Sequence, residues 1–369
     1  MPIRHDHLFD RIATFQALQA AARKAIRGKR RKRGAAAFQF GLERELLRLE
    51  HELRGGSYRP GKYVEIELTS PKHRIVSAAP FRDRVVHHAL MAVVGPIHER
   101  GFIANSFANR IGKGTHRAID TYERYRDRHS HVLRCDLFRF FPSIDHEVLK
   151  ADLRRRIRCE RTLWLIDTII DGSNPQEPVN IHFPGDDLLA PLQRRRGLPI
   201  GNLTSQWFAN IHLDALDHFC TEVLRAAYLR YVDDFALFAE SSGQLEDWRG
   251  RIADQISRKR LMLHPRKTFV TATDEPAEFL GFVLHAGGKR ALPDANVQRF
   301  KGRLKGIVRS VRAGAMGRED ARQRIDAWSA HADHGNCRAL KRAILGRAAK
   351  AMRRRSNRPG PDRTLARTA

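Results

Sequence analysis

The chain is poor in cysteine and has no long apolar run. Its four cysteines, Cys135, Cys159, Cys220 and Cys337, form no CxxC pair, so their spacing favours neither a zinc site nor a disulfide framework. No apolar stretch approaches the roughly 18 residues of a membrane-spanning helix. The first residues also lack the compact apolar segment of a signal peptide. We therefore expect a cytoplasmic protein with reduced thiols and no membrane contact.

Acidic residues are scarce relative to basic ones. The 369 residues include 68 Lys and Arg against 41 Asp and Glu, a formal net charge of +27. This excess predicts a polyanionic partner, with nucleic acid as the first candidate. Residues 23–34 hold eight positive charges in twelve positions, and residues 353–369 are again rich in Arg. We expect both to be mobile basic segments, and their composition suits a solvated linker and a phosphate contact equally well.

The apolar periodicity predicts a mixture of helices and short strands. Leucines at helical spacing, followed by Gly55 and Gly56, predict a helix over 41–54. Further helices are predicted at 82–100, 145–171, 203–226 and along the apolar stripe Val297, Phe300, Leu304, Ile307 and Val311. Strands are predicted at 62–68, at 131–136 and in hairpins around Lys72 and over 228–239.

Two adjacent carboxylates interrupt the apolar run "RYVDDFALF" at Asp233 and Asp234. A strand–turn–strand reading places both at a hairpin tip, exposed at a rigid edge, where a divalent cation would relieve their repulsion. Asp136 ends the strand "HVLRCD" and supplies a third carboxylate. Three acids on neighbouring strands can hold two Mg²⁺ ions. An isolated pair of this kind is more often a solvated turn, so the flanking motifs decide its meaning.

The order of those motifs resembles that of a reverse transcriptase. "YVDD" is preceded by "CDLFRFFPSID" and "RGLPIGNLTSQWFAN" and followed by "LHPRKT" and "EFLGFVL". The resemblance runs from about residue 60 to 285. It implies an α+β right-hand polymerase with fingers, a palm of antiparallel sheet and helices, and a helical thumb. The implied partners are an RNA template, a DNA or RNA primer and deoxynucleoside triphosphates.

The resemblance also implies a division of the chain. The parts are a basic N-terminal extension at 1–40, fingers at 41–130, a palm at 131–285, a helical thumb at 290–350 and a basic flexible tail at 351–369.

Four residues match the catalytic positions of the family. Asp136, Asp233 and Asp234 correspond to the carboxylates that hold two Mg²⁺ ions, for which Mn²⁺ can substitute. Such ions would activate a primer 3′-hydroxyl and stabilise the leaving pyrophosphate. Lys267 in "HPRKT" corresponds to a lysine proposed to protonate that pyrophosphate. A surface lysine that touches backbone phosphate explains the position equally well.

Other matching positions imply contacts with substrates. Phe141 corresponds to the aromatic gate that excludes a ribose 2′-hydroxyl, with core packing as the alternative. Lys72 and Arg74 match a fingers hairpin that clamps the incoming triphosphate. Gly281 in "FLGF" matches the hairpin that supports the primer end, where a glycine permits close backbone approach.

The segment from Ile200 to Gln206 is the most discriminating. Group II intron and retron enzymes usually have Gln at its first position and Pro at its last, whereas the pattern here is similar to reverse transcriptases of diversity-generating retroelements. In that family the pattern goes with error-prone copying of template adenines and with a small helical accessory protein. The resemblance implies that Gly201 lets template base and nucleotide approach, and that Ser205 and Gln206 contact the template.

Other readings remain open. The insert at 172–196 is longer than in compact diversity-generating enzymes, which also fits a related bacterial lineage such as a defence system. A catalytically silent RNA-binding scaffold is a second alternative, although it has no need of three clustered acids. An RNA polymerase or untemplated nucleotide adder is a third; Phe141 favours deoxynucleotides but does not decide whether a template is needed. Trp328 and His331 resemble thumb residues, and we expect them to pack.

Overall fold

The computed structural model describes residues 3–69 and 73–353. They form two compact units: a first unit, with residues up to Tyr125 and His129–Thr271, and a second unit, with Arg126–Arg128 and residues from Ala272 onwards. The helices are α1 (Phe15–Ile26), α2 (Arg33–Phe40), α3 (Leu42–Arg54), α4 (Phe81–Glu99), α5 (Thr115–Arg126), α6 (Phe140–Ser143), α7 (His146–Arg154), α8 (Glu160–Asp171), α9 (Ala190–Gln193), α10 (Leu203–His218), α11 (Ser242–Ser257), α12 (Asp294–Arg312), α13 (Arg318–Ala332) and α14 (Arg338–Arg353).

The strands form three separate sheets. They are β1 (Val64–Leu68), β2 (Arg74–Ala78), β3 (His131–Asp136), β4 (Ala227–Tyr231), β5 (Asp234–Ala239), β6 (Phe269–Ala272), β7 (Ala277–Phe279), β8 (Phe282–His285) and β9 (Lys289–Ala291). The sheet orders are β1-β2, β4-β5-β3-β6 and β7-β8-β9. Helices packed with antiparallel sheets confirm the predicted α+β class.

The basic N-terminal stretch is more ordered than predicted. Residues 23–26 belong to α1 and residues 33–34 to α2, so the prediction of a mobile segment over 23–34 is wrong at both ends. The reason is an apolar face of α1, where Leu18, Ala21, Ala22 and Ala25 are buried and the helix packs against α4. The basic residues of α1 therefore belong to an amphipathic helix whose apolar face is packed in the core.

The predicted helix over 145–171 is two helices. The break between α7 and α8 at 155–159 pairs with the N-terminal segment through His5, whose backbone N–H donates to Arg156 O at 2.8 Å and whose carbonyl accepts from Arg158 N at 2.8 Å. His5 thus satisfies Arg156 O and Arg158 N outside a helix, whereas Ile157 N still donates to Leu153 O at 3.2 Å. Apolar periodicity cannot reveal such a distant partner.

The other helix predictions are close to the structure. The helices predicted at 41–54 and 82–100 are α3 and α4. The one predicted at 203–226 is α-helical only to His218 and continues as a π-helix over Phe219–Val223. On α12 four of the five predicted apolar residues are buried, while Val311 is half-buried and Val308 is buried in addition.

The central sheet is built on β5, which pairs antiparallel with both β3 and β4. This confirms the predicted hairpin over 228–239. Every residue of β5 after Asp234 is buried, because helix α11 packs against the sheet and Phe238 contacts Tyr122 of α5 at a ring distance of 5.0 Å. A strand covered on both faces reads as a continuous apolar run, as this one does.

The predicted hairpin before α4 is β1 and β2, with Val64 opposite Ala78. Asn202 ties its second strand to the start of α10, because its Nδ2 donates to Ser77 O at 2.8 Å and its Oδ1 accepts from Ala79 N at 3.2 Å. Lys72 lies outside the described residues, whereas Arg74 begins β2.

The second unit contains β7 to β9 and helices α12 to α14. Trp328 stacks on Phe300 with ring centroids 3.8 Å apart, and its Nε1 donates to Asn296 Oδ1 at 3.1 Å. The ring of His331 lies 4.6 Å from that of Phe282. The expectation that Trp328 and His331 pack is confirmed.

The structure also describes the cysteines and the apolarity of the helices. The four cysteines are all buried and free. Among the described helices, none combines the length and apolarity that a bilayer crossing requires.

Candidate active site

Three carboxylates meet at one end of the central sheet. Asp136 is the last residue of β3, Asp234 is the first of β5, and the two are direct partners in the antiparallel register. Directly opposed residues point to the same face, with Cβ atoms roughly 4.5–5.5 Å apart. Asp233 lies in the turn immediately before Asp234. The sheet therefore brings together all three acids that the sequence analysis selected.

Burial and mutual repulsion make two of the carboxylates, those of Asp233 and Asp234, harder to ionise. Burial, and then the charges of Asp233 and Asp136, raise the pKa of Asp234 to about 6. The pKa of Asp233 is also raised, chiefly by burial and further by Asp136. Both side chains are only partly exposed, so the prediction of two exposed carboxylates at a hairpin tip is wrong in that respect.

A lysine lies directly on one of the acids. Lys267 Nζ is 2.9 Å from Asp136 Oδ2. Its segment is fixed by main-chain hydrogen bonds, since His264 N donates to Asp136 O at 2.7 Å and Phe138 N donates to Met262 O at 2.9 Å. The ammonium group lowers the pKa of both Asp233 and Asp234, against the larger effect of burial. The motif "HPRKT" is thus placed beside the acids through backbone pairing.

The donor chemistry suits a hard divalent cation. Carboxylate oxygens are the ligands that Mg²⁺ prefers. Three carboxylates whose negative charges repel one another are stabilised by a bound cation. The three carboxylates do not yet have the arrangement of a complete metal-binding site. Over residues 3–69 and 73–353, no three His, Cys, Asp or Glu side chains surround a common point as metal ligands would. Lys267 contacts only Asp136 Oδ2, and the remaining lone pairs of this carboxylate are available to a cation.

Phe141 lies five residues beyond Asp136, in the short helix α6. The helix follows Arg139, whose φ of 45° is left-handed. The Phe141 ring is partly buried and lies 5.5 Å from the ring of buried Phe140. Because the ring is only partly buried, its position is compatible with both predicted roles, sugar gate and core packing.

The segment from Ile200 to Gln206 leads into α10. Gly201 has a φ of +106°, and a Cβ there would lie 2.7 Å from Val76 Cγ1, so both conformation and space require a glycine. Gln206 is partly exposed. Ser205 is only 2% exposed, so its side chain offers no surface to a template strand in this structure.

The two remaining predicted positions lie in different units. Arg74 is near enough to the acids for its charge to lower the pKa of Asp233. Gly281 belongs to the second unit, in the turn between β7 and β8, where Leu280 and Gly281 have φ values of 46° and 87°. The turn conformation therefore explains this glycine, and a Cβ would lie 3.6 Å from the His331 ring.

One buried arginine beneath the turn was not selected from the sequence. Arg230 lies in β4 two residues before Val232, and it forms an ion pair with Asp217 in which both side chains are 0% exposed. The available signal was a charged residue within the otherwise buried strand "AYLRY". Few arginines are fully buried without a specific partner, so a charge within this buried strand indicates such a partner.

We predict that Asp234→Asn stabilises the metal-free protein at neutral pH. An Asp pKa raised to about 6 means that folding takes up a proton between roughly pH 4 and 6, so stability from this group is lost as pH rises through about 6. Asparagine cannot ionise, so the variant should gain roughly 1–2 kcal/mol at pH 7.5 and nothing at pH 4. Urea unfolding in EDTA across this range measures the difference.

The exposed Asp254 of α11 supplies the matched control. Asp254→Asn should leave the free energy of unfolding unchanged at pH 7.5. A variant at 234 that is no more stable than the parent at pH 7.5 would contradict the repulsion inferred from the geometry.

Known proteins are similar to this chain in sequence. The chain is 24% identical over 326 residues to protein YkfC of Escherichia coli K12, covering 74% of this chain and 82% of that protein. It is 26% identical over 163 residues to an uncharacterized 91 kDa protein in the cob intron of Schizosaccharomyces pombe, covering 44% of this chain and 19% of that protein.

Two solved structures also resemble the fold. Apo telomerase from Candida tropicalis, truncated from its C-terminal domain, matches with a TM-score of 0.45 and 12% identity over 63% of this chain and 55% of that one. Telomerase from Candida albicans, in complex with a fragment of telomeric RNA, matches with a TM-score of 0.41 and 13% identity over 67% and 49%. The chain thus spans about half the length of these telomerases.

Residues 66–284, more than half of the chain, match the reverse transcriptase (RNA-dependent DNA polymerase) family. The match includes the three acids, Lys267 and the segment around Gly201. It assigns a right-hand polymerase fold and the enzyme class of an RNA-directed DNA polymerase, a nucleotidyltransferase. The chain belongs to the reverse transcriptase family.

Proposed function

We propose that Asp136, Asp233 and Asp234 are the catalytic carboxylates of RNA-templated DNA synthesis and bind two Mg²⁺ ions, with Mn²⁺ as a substitute. The observation that carries this proposal is the direct cross-strand pairing of Asp136 with Asp234, beside Asp233. When bound, the ions would supply activation of the primer 3′-hydroxyl and charge neutralisation at the leaving pyrophosphate. The three carboxylates hold that charge at a rigid sheet end, which limits reorganisation during the reaction.

Neighbouring side chains would bind the nucleotide. Lys267, 2.9 Å from Asp136, is placed to donate a proton to the pyrophosphate or to hold a phosphate. Arg74, with Lys72, would bind the triphosphate, and the Arg74 charge already acts on Asp233. Phe141 would contact the sugar and reject a 2′-hydroxyl.

Template and primer contacts complete the proposal. Gly201 would let the template base approach, and Gln206 would contact the template strand, whereas the burial of Ser205 favours a supporting role for its hydroxyl. Gly281 would support the primer end. In this scheme residues 41–130 are fingers, 131–285 palm and 290–350 thumb. The extension at 1–40 and the tail at 351–369 would contact nucleic-acid phosphates.

The lineage within the family is a finer proposal. The pattern from Ile200 to Gln206 supports an enzyme of the diversity-generating retroelement type, which copies template adenines with errors and works with a small helical accessory protein. The long insert at 172–196 favours the alternative of a related lineage such as a defence system. Its Arg194 pairs with Asp145 at 3.2 Å, so the insert is anchored to the motif "PSID".

A silent RNA-binding scaffold is the less favoured function. Burying mutually repelling acids destabilises the fold, as the raised pKa of Asp234 indicates. A protein that only binds RNA gains nothing from that destabilisation. The intact cluster therefore favours catalysis.

We expect Asp233→Asn to reduce primer extension by several orders of magnitude, because charge stabilisation is usually the largest catalytic effect. Binding of a primer–template duplex should be nearly unchanged, as measured by fluorescence anisotropy. Asp254→Asn serves as the control and should extend primers at the parental rate. Comparable extension by the 233 variant and the parent would refute the assigned role.

We expect Phe141→Ala to raise the use of ribonucleotides relative to deoxynucleotides. Removing the ring would open space for the 2′-hydroxyl, so the ratio of kcat/KM for dATP and ATP should fall. Phe140→Ala is the comparison, since it removes a buried neighbouring ring. A ratio that stays at the parental value would assign Phe141 to packing alone.

The error pattern tests the lineage. We expect complementary DNA made on an RNA of known sequence to carry substitutions concentrated opposite template adenines. Deep sequencing of the product, with an unrelated accurate reverse transcriptase as the control, provides the measurement. Errors spread evenly over the four template bases would favour the related bacterial lineage.

A further inference from the structure

The first observation is a fully buried ion pair beneath the "YVDD" turn. Arg230 of β4 binds Asp217 of α10 through two parallel hydrogen bonds, Nε to Oδ1 and Nη2 to Oδ2, both at 2.6 Å. The Tyr228 hydroxyl donates to Asp217 Oδ1 at 2.7 Å. Replacing a buried ion pair by neutral residues is often harmless to stability, so pairing alone does not explain the arginine.

The second observation is where the remaining guanidinium nitrogen points. Arg230 Nη1 donates to the carbonyl of Val232 at 3.0 Å and to Asn210 Oδ1 at 3.1 Å. Asn210 in turn donates to Ala108 O at 2.9 Å. The arginine therefore joins α10 to the main chain of the turn that carries Asp233.

The third observation is the backbone conformation of the residue that accepts this hydrogen bond. Val232 has a φ of +60°, the left-handed region that a β-branched residue rarely adopts. Its carbonyl belongs to the peptide that leads into Asp233. If Val232 relaxed to a negative φ, this peptide would rotate away from Arg230 and the Asp233 carboxylate would move with it.

The strand that carries Arg230 is itself fixed on its outer edge. Phe107 N donates to Arg230 O at 2.9 Å, and Arg230 N donates to Asn105 O at 2.9 Å. The loop "NSFANR", which has no role in the proposed reaction, thereby acts as a short additional partner for β4. Arg230 is therefore fixed at its side chain by α10 and at its backbone by the loop beside β4.

We propose that Arg230 is a positioning residue that keeps Val232 in its left-handed conformation and so orients the Asp233 carboxylate for metal binding. The proposal rests on the metal-binding role proposed for Asp233. It adds a function for a residue that touches neither substrate nor metal. The rigid fork of arginine suits this task, because two of its nitrogens bind Asp217 while the third remains available for the Val232 carbonyl.

The test removes the hydrogen bond without leaving a buried charge unpaired. In Arg230→Met with Asp217→Asn both charges are lost together, and the asparagine oxygen still accepts from Tyr228. We expect the double variant to fold, as judged by circular dichroism, but to bind Mn²⁺ about tenfold more weakly in calorimetry without nucleotide. That factor corresponds to the cost of one residue held in a disfavoured backbone region.

A rescue variant separates positioning from packing. Adding Val232→Gly to the double variant should restore most of the Mn²⁺ affinity, because glycine adopts a positive φ without cost. Adding Val232→Ala is the matched control, since it also removes the side chain but keeps the backbone penalty of an L-residue, so it should restore much less. Equal effects of Gly and Ala, or undiminished Mn²⁺ affinity in the double variant, would overturn the proposal.

A crystal structure of the double variant distinguishes this inference from the proposed function. We expect Val232 to have a negative φ there, and a retained left-handed Val232 would contradict the inference whether or not the enzyme makes DNA. A parent protein that fails to extend primers would instead refute the proposed function.

If the double variant does not fold, Arg230→Lys replaces it. Lysine keeps the charge beside Asp217 but lacks the fork of arginine, so this variant should show the same loss of Mn²⁺ affinity and the same rescue by Val232→Gly.

Discussion

The site depends on the register between β3 and β5. Asp136 and Asp234 share a face only because they are direct partners in an antiparallel ladder. A slip of one residue would turn one strand's side chains to the opposite face and separate the acids. The buried apolar residues of β5 prevent this slip, because each would otherwise leave its packing position. The packing of β5 in the core therefore also fixes the relative positions of Asp136 and Asp234.

Burying the acids destabilises the fold, and other interactions in the first unit offset this destabilisation. Burial raises the pKa of Asp233 and Asp234, and Lys267 opposes part of this effect. The Arg230–Asp217 pair lies below the same turn and is satisfied by charge-assisted hydrogen bonds. The region thus combines a costly cluster of like charges with a compensated buried pair, an arrangement common at functional sites.

Local patterns predicted much of the fold, and the order of the flanking motifs identified the three acids. The hairpin over 228–239, the strand ending at Asp136 and the helix over 41–54 follow from periodicity and turn residues alone. The sequence did not reveal the shielding of Asp233 and Asp234, the burial of Ser205 or the break between α7 and α8. Each of these depends on residues distant in the chain, such as His5 at the break, and no local pattern encodes such contacts.

The pairing of His5 with the break between α7 and α8 also has a consequence for the order of assembly. During synthesis the segment around His5 leaves the ribosome long before residues 156–158 exist, so it must wait without its partner. Contacts between such distant residues close large loops and slow folding. The break between α7 and α8 can therefore reach its final backbone pairing only after translation has passed residue 158.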